Sequence, residues 1–512
     1  MKVIPYILIS ILLLTLSCKE SPILQKEVPV TTSEISGKAL SELYCATCHQ
    51  YPAPALLDKE TWREYMLPRM GYMYGIYGNP EERETLFEKG IGGNIVRERD
   101  LFPATQKLDS ASWLAIKKYY LENAPEALET LPVKNITKNL NQFVVRIPNQ
   151  KVKIPSSTMV KFASDGKIYL GDAMTRSFSL FSKDLELLQS GTIQEGTVWL
   201  EDSPEAYWLT VMGSFSPTDA PKGSIAVLPK SSSVRASIPI KKLQRPVHSS
   251  YSDLDNDGDM DIVICEFGKW TGALSLHRNN GDNTFSKEIL HNTPGAIKAY
   301  IKDMNNDGFE DIVALFAQGA EGIDIFYNDG AANFQRERVL DFHPSMGSSY
   351  FNLIDYNKDG FLDIIYTAGD NADYKPVMKP WHGVYVYLND SHNRFRESVF
   401  LHLNGAYNAI AEDFDEDGDT DIAAISFFPD WVHSPEESFV YFENTNNVYS
   451  LSTFSEVNDG RWVVMDGSDY DNDGDIDLIL GSLAFEVVPK TGIEKQWMEK
   501  GIPFIVLENT LY

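Results

Sequence analysis

The nonapeptide "DLDNDGDMD" at residues 253–261 decides the fold, because the chain repeats it four more times. The copies are "DMNNDGFED" (303–311), "DYNKDGFLD" (355–363), "DFDEDGDTD" (413–421) and "DYDNDGDID" (469–477). Their starts lie 50, 52, 58 and 56 residues apart. A period near 50 marks a repeat architecture. Asp or Asn stands at positions 1, 3 and 5, so alternate side chains converge on one point. Gly at position 6 permits a sharp turn, and Asp at position 9 closes the loop. Hard oxygen donors in this number and spacing suit calcium. Position 7 varies, as expected where only its backbone carbonyl binds. The expected ligands are Asp253, Asp255, Asp257, Asp259 and Asp261 in the first loop, and Asp303, Asn305, Asp307, Phe309 and Asp311 in the second. Asp355, Asn357, Asp359, Phe361 and Asp363 follow, then Asp413, Asp415, Asp417, Asp419 and Asp421. Asp469, Asp471, Asp473, Asp475 and Asp477 complete the set, for about five Ca2+ ions.

These loops differ from EF-hands. Position 12, where an EF-hand has Glu, is Ile264, Ala314, Tyr366, Ala424 or Leu480. Position 2 is always apolar, and short apolar runs such as "IVIC" and "IVAL" follow position 9. Each loop therefore joins two buried strands. Four strands per period describe a propeller blade. The repeats resemble the FG-GAP or VCBS family, the integrin α-subunit type of propeller, whose calcium loop lies between the first two strands of a blade. Two weaker copies precede them, "MVKFASDGKIYLGDA" (159–173) and "VWLEDSPEAYWLTVMG" (198–213), with most ligands lost. The expectation is a seven-bladed all-β propeller over 151–512.

A second signal lies near the other end. "CATCH" places Cys45, Cys48 and His49 in the C-x-x-C-H spacing of covalent haem. Two thiols one helical turn apart can add to the haem vinyl groups, and the next residue sets an imidazole under the iron. No Cys or His occurs from residue 50 to 247, so a zinc site lacks its other ligands. The sixth ligand is then sought among Met66, Met70 and Met73 in "YMLPRMGYMYG". A helix is expected to end before Pro68, leaving Met70 and Met73 on a loop, with Met70 preferred. A closing helix is expected in "DSASWLAIKKYYLENAPEAL", capped by Ser110 or Ser112. Residues 33–126 thus resemble a small all-α class I cytochrome c domain carrying one haem c, and 127–150 read as a linker.

The first residues read as an export signal: Lys2, an apolar run from Ile7 to Leu16, then "LTLSC". The end resembles a bacterial lipoprotein signal, with lipid on Cys18, residues 19–32 as a tether, and a periplasmic or cell-surface location. Cys265 reads as a small buried hydrophobe. A net charge of −28 excludes nucleic acid as a partner, since a phosphate backbone needs a basic surface. Five bound calcium ions would offset part of that charge.

The loops between the second and third strands are long in the last three blades: "AGDNADYKPVMKPWHG" (368–383), "FFPDWVHSPEES" (427–438) and "SLAFEVVPKTGIEKQWMEKGIP" (482–503). They carry Asp370, Asp373, His382, Asp430, Trp431, His433 and Trp497. Function on rigid scaffolds concentrates in such loops. Two readings follow. One is a membrane-anchored electron carrier whose propeller binds a redox partner protein or a glycan. The other is a haem-linked dehydrogenase acting on a sugar or alcohol, with Asp370, Asp373, His382, Asp430 and His433 as its catalytic candidates. Nothing resembles a hydrolase triad or a nucleotide-binding glycine loop.

Overall fold

A computed structural model describes residues 35–231, 233, 235–282 and 284–511. The expected signal, Cys18 and the tether lie outside the described residues. From Phe143 to Asn509 the chain forms seven four-stranded antiparallel sheets. Their first strands are Ser157–Phe162, Thr197–Asp202, Pro246–Ser252, Ala296–Lys302, Ser348–Ile354, Ala406–Glu412 and Trp462–Ser468. Each contacts the next, and the last contacts the first, so the sheets close in a ring around an axis. This is a seven-bladed β-propeller. All seven first strands carry a register shift at the same place, after their first residue. Such a bulge bends and twists a strand, and its sevenfold repetition gives every blade the same pitch.

The second strands explain the blade packing. In blades 3 to 7 they are buried along their whole length, as in Asp261–Glu266, Asp311–Phe316 and Asp363–Ala368. Continuous apolar runs suit a strand covered on both faces by neighbouring blades. Val313 and Leu315 of blade 4 share one core with Phe351, Ile364 and Tyr366 of blade 5.

Closure is made by both ends of this region. The seventh sheet holds Trp462–Ser468, Asp477–Ser482, Phe504–Asn509 and, outermost, Phe143–Arg146. Phe143 pairs with Asn509 and Arg146 with Val506. The stretch read as a linker, 127–150, therefore supplies a blade strand. Its earlier part also runs along blade 6, where Thr137 bridges Ser452.

Helices occupy the residues before it, chiefly Gly37–Cys45, Leu67–Met73, Ile91–Glu98 and Ser110–Asn123. The first and last pack together. A Cβ on Gly37 would strike the Ala115 carbonyl, so glycine is what allows that close crossing. Two expectations are corrected here. The last helix is capped by Asp109, whose carboxylate accepts from Ser112 N–H, and not by Ser110 or Ser112. The helix does not stop before Pro68. Trp62–Met66 forms a π turn in which Leu67 N–H reaches the Trp62 carbonyl, and α-helix resumes over Leu67–Met73. The wider turn accommodates a proline that has no N–H to give. Met70 and Met73 thus lie on helix, not on a loop.

Candidate functional site

The CATCH segment begins at the C-terminal end of the first helix and continues into a turn. Cys45 is buried and Cys48 exposed. Burial pushes the Cys45 thiol up to about 11, and Cys48 nearby adds to the rise. A nucleophilic redox dithiol needs the opposite shift. His49 is half-buried, and its Nδ1 lies 2.8 Å from the Gln50 carbonyl. A carbonyl only accepts, so Nδ1 carries the proton and Nε2 keeps its lone pair. That is the second-sphere arrangement of a metal-ligating imidazole. Beside Cys45, the side chains of Tyr44, Tyr51, Tyr74, Met66 and Met70 pack on the core of Leu40, Cys45, Trp62 and Tyr120. Met73 packs elsewhere, against Phe87, Val96, Phe102 and Trp270. Met66 and Met70, one turn apart, are the two thioethers placed in the same cluster as Cys45.

On the propeller, the five acidic nonapeptides share one backbone conformation. Position 4 is left-handed in all of them, with φ of 59, 58, 59, 55 and 64° at Asn256, Asn306, Lys358, Glu416 and Asn472. Position 6 is glycine with φ between 90 and 110°. Side-chain oxygens of Asp253, Asp255 and Asp257 lie within 4.8 Å of one another, as do those of Asp413, Asp415 and Asp417, and of Asp469, Asp471 and Asp477. The Asp255 Oδ1 and Asp475 Oδ1 atoms are buried without a partner. These residues could hold a divalent cation.

Position 9 has a second task that the ligand pattern concealed. Asp311 accepts from the Asn328 and Met304 N–H groups at 2.9 Å each. Asp363 accepts from Asn389 and Tyr356, and Asp477 from Asn509 and Tyr470. The carboxylate thus bolts the loop to the third strand of its own blade. In the absence of an ion, burial and then neighbouring carboxylates push Asp421 and Asp477 up to about 7.

The helices rest on the opposite face, formed by the second-to-third-strand loops and the links between blades. Phe102 meets Trp270 edge-on at 5.1 Å, a contact of about 0.5–1.5 kcal/mol beyond its buried area. Glu88 accepts from Thr218 Oγ1 and the Asp219 N–H, and Arg99 donates to Asn292 at 3.0 Å. Arg69 donates to the Asp373 carbonyl at 2.7 Å, and Tyr65 lies 6.2 Å from Tyr374. Tyr374 packs against the same core as Met66 and Met70. The long blade-5 loop therefore reaches the methionine helix, a contact that no sequence pattern announced.

The rim candidates fall into separate groups. Asp370 is half-buried beside Asp373 and Lys379; burial, then the Asp373 charge, pushes its carboxyl up to about 6. Its neighbour Glu321 is pushed up to about 7 by burial. His382 is buried and held neutral by desolvation. Asp430 and His433 pair with each other at 2.8 Å, with His433 exposed. Trp497 is fully buried and touches Trp431 at 5.0 Å. Among the described residues no hydrogen bond joins the Asp370 group to the Asp430–His433 pair, whereas the His382 N–H donates to the Lys379 carbonyl at 3.0 Å.

Residues 253–314 and 303–366 each match the FG-GAP-like repeat. The matched stretch runs from the nonapeptide of blade 3 into the second strand of blade 5, and is similar to that repeat family. No curated protein matches the chain. Among solved structures, a virginiamycin B lyase from Staphylococcus aureus with quinupristin is 11% identical, with a TM-score of 0.45, covering 71% of this chain and 99% of its own. A putative 6-phosphogluconolactonase from Bacteroides fragilis is 11% identical at a TM-score of 0.41, covering 62% and 95%. Sqt1 of Saccharomyces cerevisiae is 11% identical at 0.40, covering 69% and 84%. Likeness at this level transfers no activity, and the propeller assignment here stands on the sheet topology.

Proposed function

We propose that the chain is an exported c-type cytochrome that transfers electrons. Its propeller, with calcium in five loops, would hold the haem-bearing helices beside a face that binds a partner protein or glycan. One observation carries this reading: the C-x-x-C-H turn has His49 Nδ1 engaged by a backbone carbonyl, and its Cys45 packs in the same apolar cluster as Met66 and Met70. Haem c, when bound, supplies one-electron chemistry at a potential set by its axial ligands and surroundings. Cys45 and Cys48 would attach it, His49 would be one ligand, and Met70, with Met66 as neighbour, would offer the thioether. The Arg69–Asp373 and Tyr65–Tyr374 contacts hold the methionine helix against blade 5. In the nonapeptide loops, positions 1, 3 and 5 would face the calcium ion. The export signal and lipidated Cys18 belong to the same proposal, because haem attachment and abundant calcium both lie outside the cytoplasm.

A pyridine haemochrome spectrum of the purified full chain, produced with a haem-attachment system, tests the haem. Cys48→Ser is expected to lose covalent haem while the propeller stays folded; a haemochrome spectrum identical to that of the wild type would overturn the assignment. Met70→Ala is expected to change the reduced spectrum or the potential, and if only Met66→Ala does so, the ligand is Met66. Cys18→Ser is expected to release the protein from the membrane fraction.

The dehydrogenase reading is favoured by Asp370. A half-buried carboxyl raised to about 6 is suited to proton transfer near neutral pH. Reduction of the haem by a panel of sugars and alcohols, without added partner and abolished in Asp370→Asn, would establish it.

A further inference from the structure

The propeller axis gathers two lysines that make no ion pair within 4.0 Å among the described residues, with the Asp466 charge acting on both. Lys161, Trp199, His248, Lys298, Tyr350 and Asp466 stand on the first strands of six different sheets except that of blade 6. Lys161 Nζ lies 4.7 Å from the centre of the Trp199 ring, and Lys298 Nζ lies 5.8 Å from it. The His248 ring is 4.2 Å from the same indole. Lys298 is buried; it donates to Tyr350 Oη and lies 3.4 Å from Asn352 Oδ1. Lys161 donates to the Leu200 carbonyl at 3.0 Å. Neither ammonium has a carboxylate within 4.0 Å among the described residues.

The hydrogen-bond inventory points the same way. The Trp199 Nε1 and both His248 ring nitrogens are buried without a partner, and His248 is only 5% exposed. Indole N–H is a donor only, and neutral imidazole brings one more donor. Asp466 is the one carboxylate named here, and it spends Oδ2 on the Phe162 N–H at 2.9 Å. Lys161, Trp199, Tyr300, Tyr350 and Asp466 are half-exposed although they stand on the innermost strands. They therefore face a solvent-reached channel along the axis. Buried charges are ordinarily paired, and buried donors ordinarily satisfied.

We propose that this channel binds a small monovalent anion, a halide or a short carboxylate, between Lys161 and Lys298 against the Trp199 and His248 edges. The anion would supply a negative charge and an acceptor for the unpartnered Trp199 N–H. Burial disfavours the Lys298 charge and Asp466 restores part of it, so a single negative charge beside Lys298 would hold the ammonium protonated. The site is independent of haem and of the nonapeptide loops.

Calorimetric titration of the full chain with bromide and with formate, in gluconate buffer at fixed ionic strength, tests it. Saturable binding is expected, at least tenfold weaker in Lys161→Met, whose lysine makes one hydrogen bond and whose fold is checked by circular dichroism. Crystals soaked in bromide are expected to show anomalous density between the two ammonium groups. Competition by formate identifies a carboxylate site, and its absence a halide site. Titrations of wild type and Lys161→Met that coincide, or bromide absent from the axis, would overturn the proposal. Lys298→Met gives the second check, provided its melting curve remains cooperative.

Discussion

Two kinds of turn connect the first and second strands of the blades. In blades 1 and 2 the turns are short and self-sufficient. Ala163 and Lys167 close the first through backbone hydrogen bonds, and Ser203 closes the second against Ala206 with both its N–H and its hydroxyl. In blades 3 to 7 a nonapeptide replaces them, holds its shape with left-handed residues, and concentrates carboxylates that repel one another. The same sheet geometry accepts both. The short turn is satisfied by its own backbone, whereas the long ones leave buried carboxylate oxygens such as Asp255 Oδ1 and Asp475 Oδ1 without a partner.

That contrast can be broken or sharpened. The largest expected effect is from excess chelator on calcium-loaded protein: a fall in melting temperature of about 10 °C or more, since binding to the native state alone stabilises it by several kcal/mol. Amide exchange is expected to accelerate in the nonapeptide loops while the blade 1 and 2 turns keep their protection. A melting curve and exchange pattern unchanged by chelator would dissolve the distinction. Next comes Asp477→Asn, expected to cost about 1–3 kcal/mol in chemical denaturation even without calcium, because both carboxylate oxygens accept backbone N–H groups. Asp255→Asn should leave metal-free stability nearly unchanged and lower calcium affinity, separating the ion-facing positions from position 9. Gly258→Ala, at φ 95°, should cost about 1–2 kcal/mol. Gly191→Ala in blade 1, where a Cβ meets nothing, should stay within about 0.5 kcal/mol.

The smallest effect is a slope with pH. In metal-free protein Asp421 and Asp477 titrate near 7, above their unfolded range. The folded state then binds more protons between about pH 4 and 7, so stability is greatest below that window and is lost as pH rises through it. Lowering the pH from 7.5 towards 5 should raise the melting temperature of metal-free protein and lower that of the calcium form, where protons compete with the ion. In blade 1, Asp165 is held below its usual range by Lys167, so its contribution runs the other way. Scanning calorimetry at several pH values, with and without calcium, reads the sign directly.

The propeller was legible because its signal repeats. Five loops in register, each followed by an apolar run, define five blades, and strand spacing alone extends the count to seven. The closing strand was not legible, since "FVVR" is four residues with no ligand pattern and is fixed only by its partner Phe504–Asn509. The passage of helix through Pro68 depends on a π turn, which leaves no mark in composition. The C-x-x-C-H spacing stands out in five residues. The docking of the methionine helix on Tyr374 could not, because it joins positions three hundred residues apart. The carboxylates and histidines of the long loops read as one group because they share a face, yet each is bound to its own loop. The axial lysines were hidden among strand residues, where a lone Lys in an apolar pattern attracts no notice.

The outermost position of Phe143–Arg146 has a practical consequence. A fragment cut at the apparent boundary near residue 151 would leave Phe504–Asn509 with an open hydrogen-bonding edge. Exposed edges recruit other strands, so such a fragment would tend to dimerise or aggregate even though every acidic loop were intact. The seventh blade is a clasp between early and late chain, and the ring is latched only when the strand that precedes the first complete blade meets those that follow the sixth.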